Sequence, residues 1–275
     1  MYREQCKILE NEKIAPGHYV LKLASPRISR SAKPGQFVQI LCGDSYDPLL
    51  PRPFSFLTSS KKDFSILYQV AGKGTKILSR LEKGGSLWIL GPLGNGFSAE
   101  AARRVTTAVL IGGGVGIPPL YHLAHALLTG PRPASGRLKN IHVFLGARHR
   151  SLLLCQNDFK KLGVDLSIAT DDGSKGKKGF VTEILEQFIN RSSNRGSVRM
   201  YTCGPTPMLK AVSFISQKYD LPCEVSVEVP MACGFGACLG CAIKVRTESL
   251  ADRNHRFAIA CCEGPVFQAS DILWE

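Results

Sequence analysis

Between residues 18 and 92 the apolar positions fall in short alternating runs, HYVLKLA, QFVQILC, PFSFLTS, FSILYQV and SLWILGP, each bounded by proline, glycine or a polar cluster. Successive side chains of a strand point to opposite faces, so this alternation predicts half-buried strands. Their regular spacing, with turn residues between them, predicts a small antiparallel barrel over residues 1–98. From about residue 104 the pattern changes. Near-continuous apolar runs, VTTAVLIGGG, IHVFLGAR, DLSIAT and VRMYTCG, alternate with the helical segments PPLYHLAHALLTG, LLLCQNDFKKLG, VTEILEQFIN and TPMLKAVSFISQKY. Strands buried on both faces and separated by helices predict a doubly wound parallel α/β domain over residues 99–221. Residues 222–275 return to short strands around a cysteine loop. That stretch is too small for a large apolar core of its own and calls for a staple, which a metal would supply.

The loop reads CGFGACLGC, and with the later CC it gives Cys233-x4-Cys238-x2-Cys241-x19-Cys261. Three close cysteines and one distant one are the plant-type ferredoxin spacing. A [2Fe–2S] cluster takes two thiolates on each iron, so a tight loop can give three and a later strand region the fourth. Gly234, Gly236 and Gly240 suit such a loop, since without Cβ atoms they can take positive φ and turn N–H groups toward the sulfurs. A structural zinc site is the rival reading, although it usually shows two C-x2-C pairs. Ordinary buried thiols are the other. Cys262 competes with Cys261 for the fourth place, but neighbours in a strand face opposite ways and only one should reach the iron. The remaining cysteines, Cys6, Cys42, Cys155, Cys203 and Cys223, read as small buried residues.

The chain has 275 residues, is 44% hydrophobic and holds ten cysteines. MYREQCKILENEK at the start has no apolar run, so no export signal is expected, and the reading is cytoplasmic. Thiols in a reducing compartment are ligands more often than disulfides. The most apolar segment, GVGIPPLYHLAHALL, carries two prolines and two histidines, which argues against a membrane span. A net charge of +13 suits polyanions, but the basic residues are scattered and no nucleic-acid motif accompanies them. The charge reads as a solvated basic surface.

RPFS at 52–55 on a strand, followed by LYQVAGKGT at 67–75, resembles the ferredoxin-reductase superfamily. The resemblance implies FAD, with Arg52 on the pyrophosphate and Pro53, Phe54 and Ser55 along the isoalloxazine. Leu67, Tyr68, Gln69, Gly74 and Thr75 would meet the rest of that cofactor. A guanidinium forks onto phosphate oxygens, and a Gly-Thr turn offers N–H and hydroxyl donors to the same group. VLIGGGVGIPPL follows a strand and opens a helix, the setting of a dinucleotide loop, with Gly112, Gly113, Gly114 and Gly116 as candidates for NAD. The third fingerprint position is Ile117, and the next strand, IHVFLGAR, lacks the acidic residue expected for a ribose hydroxyl. Arg148 and Arg150 lie where a 2′-phosphate would sit, which leaves NADP open. CGPTPML at 203–209 resembles the superfamily's nicotinamide motif, and the resemblance puts Cys203, Gly204 and Pro205 in that pocket.

MACGFGACLGC, CCEGPVF and TDDGSKGKKGFVTEIL are similar to the electron-transfer subunits of NAD-dependent dihydroorotate dehydrogenase, class 1B, over essentially the whole chain. The resemblance implies Cys233, Cys238, Cys241 and Cys261 as iron ligands and leaves Cys262 in a variable place. It also implies an oxidoreductase subunit of pyrimidine biosynthesis that holds no catalytic residue for dihydroorotate. A separate FMN-containing catalytic subunit would oxidise that substrate, in a heterotetramer of two plus two. The map is then an FAD-binding β-barrel (1–98), an NAD-binding α/β domain (99–221) and a [2Fe–2S] subdomain (222–275). A reductase subunit of a sulfhydrogenase or transhydrogenase complex is built from the same modules. A basic zinc-tailed binding module is the alternative of another class.

Overall fold

The first strand, β1 (Tyr2–Ala15), is also the longest among the described residues, and alternation does not reveal it because only Cys6 and Ile8 along it are buried. The computed structural model describes residues 1–43, 46–130, 138–192, 195–247 and 255–274. After β1 come β2 (His18–Ala24), the short helix α1 (Pro26–Ser31), β3 (Phe37–Ile40), β4 (Arg52–Ser59) and β5 (Asp63–Gln69). A second short helix, α2 (Lys73–Leu78), leads to β6 (Ser86–Leu93). The six strands close into an antiparallel barrel in the order β1-β2-β5-β4-β3-β6. Its interior is filled by Leu21, Val38, Ile40, Phe56, Phe64 and Ile66, among others. All four residues of β3 are buried. Val38 and Ile40 point into the barrel, so Phe37 and Gln39 stand on its outer face and something else must cover them.

That cover is the second half of the chain. Helix α3 (Ala99–Arg103) leads into β7 (Thr107–Gly113), α4 (Ile117–Thr129) and β8 (Asn140–Ala147). Then follow α5 (Gln156–Lys161), β9 (Asp165–Thr170), the two-residue β10 (Lys177–Lys178), α6 (Val181–Arg191), β11 (Val198–Cys203) and α7 (Thr206–Lys218). Helix α5 is shorter than the pattern predicts, because Leu153 and Leu154 are spent in the core before it starts and Cys155 turns the chain at φ 55°. Val109 and Ile111 of β7 pack against α6 and α7, while Ala108 and Leu110 pack against α4. The sheet is therefore covered on both faces, as doubly wound sheets are.

The tail adds β12 (Cys223–Ser226), the hairpin β13 (Ala242–Arg246) with β14 (His255–Ile259), and β15 (Val266–Gln268). Strand β12 pairs parallel to β11 and β15 pairs antiparallel to β12, which gives a seven-stranded sheet in the order β10-β9-β8-β7-β11-β12-β15. One core runs through the junction, since Phe37 and Leu93 of the barrel cluster with Val225, Cys241, Ala260 and Cys261. A polar latch adds to it. Glu224, 2% exposed, pairs with Arg199 at 2.7 Å and accepts the Ser98 backbone N–H at 2.8 Å, while Tyr201 donates to Ser98 O at 3.1 Å.

A second contact between barrel and sheet domain is titratable. His122 of α4 is 4% exposed, with Nε2 2.9 Å from Ser59 Oγ of β4 and Nδ1 without a partner among the described residues. Burial, helped by His125, pulls its pKa down from 6.5 to about 4. The folded protein thus favours the neutral ring, and this stability is present above pH 6.5 and lost as pH falls toward 4. The expected loss is about 3 kcal/mol, from 1.36 kcal/mol per pKa unit. Thermal unfolding followed over pH 7 to 4 should show this acid limb, and it should flatten in His122→Gln. Among the described residues no helix is long and apolar enough to cross a membrane.

Candidate functional site

A groove of about 660 Å³ runs between the outer face of the barrel and the carboxyl-terminal edge of the sheet. Strand β4 brings Arg52, Pro53, Phe54 and Ser55 to its wall, and β5 brings Leu67, Tyr68 and Gln69. Arg52 is half-buried and its Nη1 donates to the carbonyls of Leu50 at 2.7 Å and Pro51 at 3.2 Å, so the guanidinium is held in one place. Gly74 does not line the groove. Its part is indirect, because a Cβ there would sit 3.5 Å from Arg52 Nε and 3.2 Å from Cys42 Sγ. Thr75 does line it, but its hydroxyl accepts the N–H groups of Ala71 and Gly72 and donates to Gly72 O. The hydroxyl therefore shapes the turn, and the free-donor role expected of it is corrected. Tyr68 is 1% exposed, with its ring in the barrel core and its hydroxyl on Asn11 at 3.0 Å, so little of it reaches the groove.

Across from β4 stands the turn between β7 and α4. Gly116 and Pro118 line the groove there, beside Cys203 from the end of β11. A Cβ on Gly116 would lie 2.4 Å from Gly204 N, so the two candidate nicotinamide motifs are in direct backbone contact. Gly112, Gly113, Gly114, Gly204 and Pro205 are not on the groove wall. Gly112 admits Leu120 of α4, and Gly113 admits Met208 and Pro205, which is close helix-to-strand packing. The missing acidic residue after β8 is not supplied by its neighbours in sequence, for Arg148 and Arg150 are exposed. The carboxylates stand one strand over, where Asp172 is held below the usual range chiefly by the Ser174 hydroxyl. Burial pushes the Cys203 thiol up to about 12, so it faces the groove as a neutral group.

The cysteine loop follows the groove's far wall, formed by Glu228, Val229, Pro230 and Met231. Its four candidate sulfurs meet as two pairs. Cys238 lies beside Cys233, and Cys261 lies beside Cys241, whose Sγ accepts the Cys261 N–H at 3.4 Å, while the Cys262 sulfur stands 3.8 Å from that of Cys261. Gly236 N–H ties the halves together by donating to Cys261 Sγ at 3.1 Å. Among the described residues no three histidine, cysteine or carboxylate groups gather round one point as a single ion requires. Two pairs are what two irons require, so the donor set fits a [2Fe–2S] centre better than a tetrahedral zinc. Burial disfavours the Cys233 thiolate, but the N–H groups of Phe235, Cys238 and Ala237 and the Cys238 thiol outweigh it and bring the group to about 6. Burial and the neighbouring Cys241 and Cys262 sulfurs raise Cys261 instead.

Of the three loop glycines, Gly234 and Gly236 take positive φ, at 81° and 90°, and Gly240 does not. Leu239 takes the left-handed turn in its place, at φ 58°. Motif reading also passes over two polar residues at this site. Asn95 Nδ2 donates to the carbonyls of Cys262 and Glu263, both at 3.0 Å, and so fixes the turn that carries Cys261. Gln39 lies under Gly234. The partners are more than 100 positions apart in the chain, and no local pattern announces them.

The family described as the iron-sulfur cluster binding domain of dihydroorotate dehydrogenase B matches residues 228–273, and the oxidoreductase NAD-binding domain matches residues 110–213. The electron transfer subunit of dihydroorotate dehydrogenase B (NAD⁺) from Desulforamulus reducens is 38% identical over 98% of this chain and 97% of its own. Its counterpart from Caldanaerobacter subterraneus is 38% identical over 99% of each. Among solved structures, the NADH-dependent reduced ferredoxin-NADP oxidoreductase, described in connection with flavin-based electron bifurcation, superposes with a TM-score of 0.82. It is 28% identical, covering 98% of this chain and 90% of that one. A ferredoxin NADP⁺ reductase from Neisseria gonorrhoeae with bound FAD and NADP shares the fold at 16% identity and a TM-score of 0.66, over 79% and 91% of the two chains.

Proposed function

Because the chain belongs to the family of electron transfer subunits of NAD⁺-dependent dihydroorotate dehydrogenase B, we propose that it carries electrons from a catalytic partner to NAD⁺. The observation that supports this best is the pairing of four thiols just beyond the rim of a groove suited in size to a flavin and a nicotinamide. When bound, FAD exchanges hydride with the nicotinamide and single electrons with a [2Fe–2S] centre, so the two kinds of traffic meet there.

The chain's own residues have distinct tasks. Arg52, anchored on two backbone carbonyls, presents its remaining donors to the flavin pyrophosphate, and Pro53, Phe54 and Ser55 form the floor for the ring. Leu67, Gln69 and Thr75 bound the rest of that cofactor. The α4 amino terminus at Gly116, on a thirteen-residue helix, receives the phosphates of the dinucleotide. Cys203 stays protonated and shapes the nicotinamide pocket without reacting. Cys233, Cys238, Cys241 and Cys261 hold the iron.

The partner is an FMN-bearing subunit that oxidises dihydroorotate, in a cytoplasmic assembly of two plus two. The exposed side chains of Phe235, Leu239 and Phe257 give the cysteine end an apolar surface for that contact. The purified chain should be yellow-brown and carry one flavin with about two irons and two acid-labile sulfides. A colourless, zinc-loaded chain would sink the reading. The similarity to the bifurcating oxidoreductase favours one competitor, a reductase module of another redox complex. Reduction of this chain by dihydroorotate together with its FMN subunit separates the two, and failure of that reduction points to the competitor.

A further inference from the structure

We propose that Gln39 is the hydrogen-bonding residue that tunes the iron–sulfur centre from the flavin side, its Nε2 donating to a sulfur of the bound cluster. The inference rests on the proposed function and deepens it. Gln39 lies in β3, where it pairs with Pro53 of β4 and with Leu90 of β6. Residues opposite each other in a ladder share a face, so Gln39 stands beside the Pro53 that lines the groove. Its other neighbour is the cysteine loop. A Cβ on Gly234 would come within 2.6 Å of Gln39 Cγ and 2.7 Å of Nε2, so the residue after Cys233 must be glycine for the carboxamide to lie there.

Gln39 is 1% exposed, and neither its Nε2 nor its Oε1 has a hydrogen-bond partner among the described residues. Native folds seldom leave a buried amide unsatisfied in this way, because the desolvation is uncompensated. No backbone or side-chain group of the neighbours named above hydrogen-bonds either atom. Its side chain meets the cysteine loop at Gly234, next to Cys233, and from that side a cluster held by the cysteines would offer it a sulfur acceptor. A cluster gains negative charge on reduction, so a donor to its sulfur stabilises the reduced form more than the oxidised one and raises its potential. Gln39 would thus tune electron flow directly, set between the groove wall at Pro53 and the cysteine loop at Gly234.

The test is a redox titration of the intact chain, monitored by electron paramagnetic resonance, with iron, sulfide and flavin content measured alongside. Gln39→Leu should keep its iron and flavin and shift the electron distribution about tenfold away from the cluster, which is about 59 mV in midpoint for a one-electron couple. Its g-values should change as well. Gln39→Glu, close to isosteric but able to place a carboxylate toward the sulfurs, should lower the midpoint at least as far. Iron-loaded variants with unchanged midpoints and g-values would overturn the proposal while leaving the family function standing. Loss of iron from both variants with flavin retained would also overturn it, since Gln39 would then hold the loop and not tune its cargo. Absence of iron from the unmutated chain would instead condemn the proposed function.

Discussion

Cys261→Ser should lose its iron, whereas Cys262→Ser should keep about two irons per chain. The two cysteines are adjacent and their sulfurs are 3.8 Å apart, yet their settings differ. Cys261 is 2% exposed, receives the Gly236 N–H and reaches Cys241 through its own N–H. Cys262 is exposed, and its sulfur approaches Gly236 closely enough that a Cβ there would meet it at 2.7 Å. With Cys261 as the proposed ligand, a serine there would leave one iron with a single thiolate, and binding energy for a structural metal is largely folding energy for the small element that holds it. The Cys261→Ser chain should therefore also unfold its hairpin at lower temperature. Iron and sulfide assays with a visible spectrum decide the matter. If Cys262→Ser bleaches the protein and Cys261→Ser does not, the ligand assignment is reversed.

Arg52→Ala should weaken FAD binding by about 10- to 100-fold, the usual worth of a charge-assisted hydrogen bond. The guanidinium is already fixed by two carbonyls, so little entropy remains to be lost when it meets phosphate oxygens. Arg52→Lys should recover only part of the affinity, because an ammonium cannot reproduce the planar fork. Flavin released on gel filtration, read by fluorescence against protein concentration, measures the effect. Flavin retention equal to that of the unmutated chain in both variants would remove Arg52 from the site.

The parts of this fold that depend on local pattern are legible in the sequence. Strand β2 and the first half of β6 alternate because one face of the barrel wall there is core, whereas β7, β8, β9 and β11 read as continuous apolar runs because both faces are covered. The cysteine spacing is legible for a similar reason, since three of the four proposed ligands lie within nine residues. Strand β1 is hidden by its charged outer face. Positions defined by distant neighbours are hidden too. Gln39 looks like one polar residue in FVQI until Gly234 is placed over it, and Gly240 looks equivalent to Gly236 until Leu239 is found to take the turn. The Thr75 hydroxyl seems free until Ala71 and Gly72 claim it.

The tail strands β12 and β15 finish the large sheet, and this governs how the chain could be taken apart. A chain stopped at residue 221 would not be a lighter reductase, because β11 would become an unprotected border with free N–H and C=O groups, inviting other molecules to stack on it. An engineer wishing to exchange the electron carrier should keep both tail strands and graft only the interval between residues 227 and 265. The cluster module is, in building terms, an insertion into the nicotinamide half and not an extension of it.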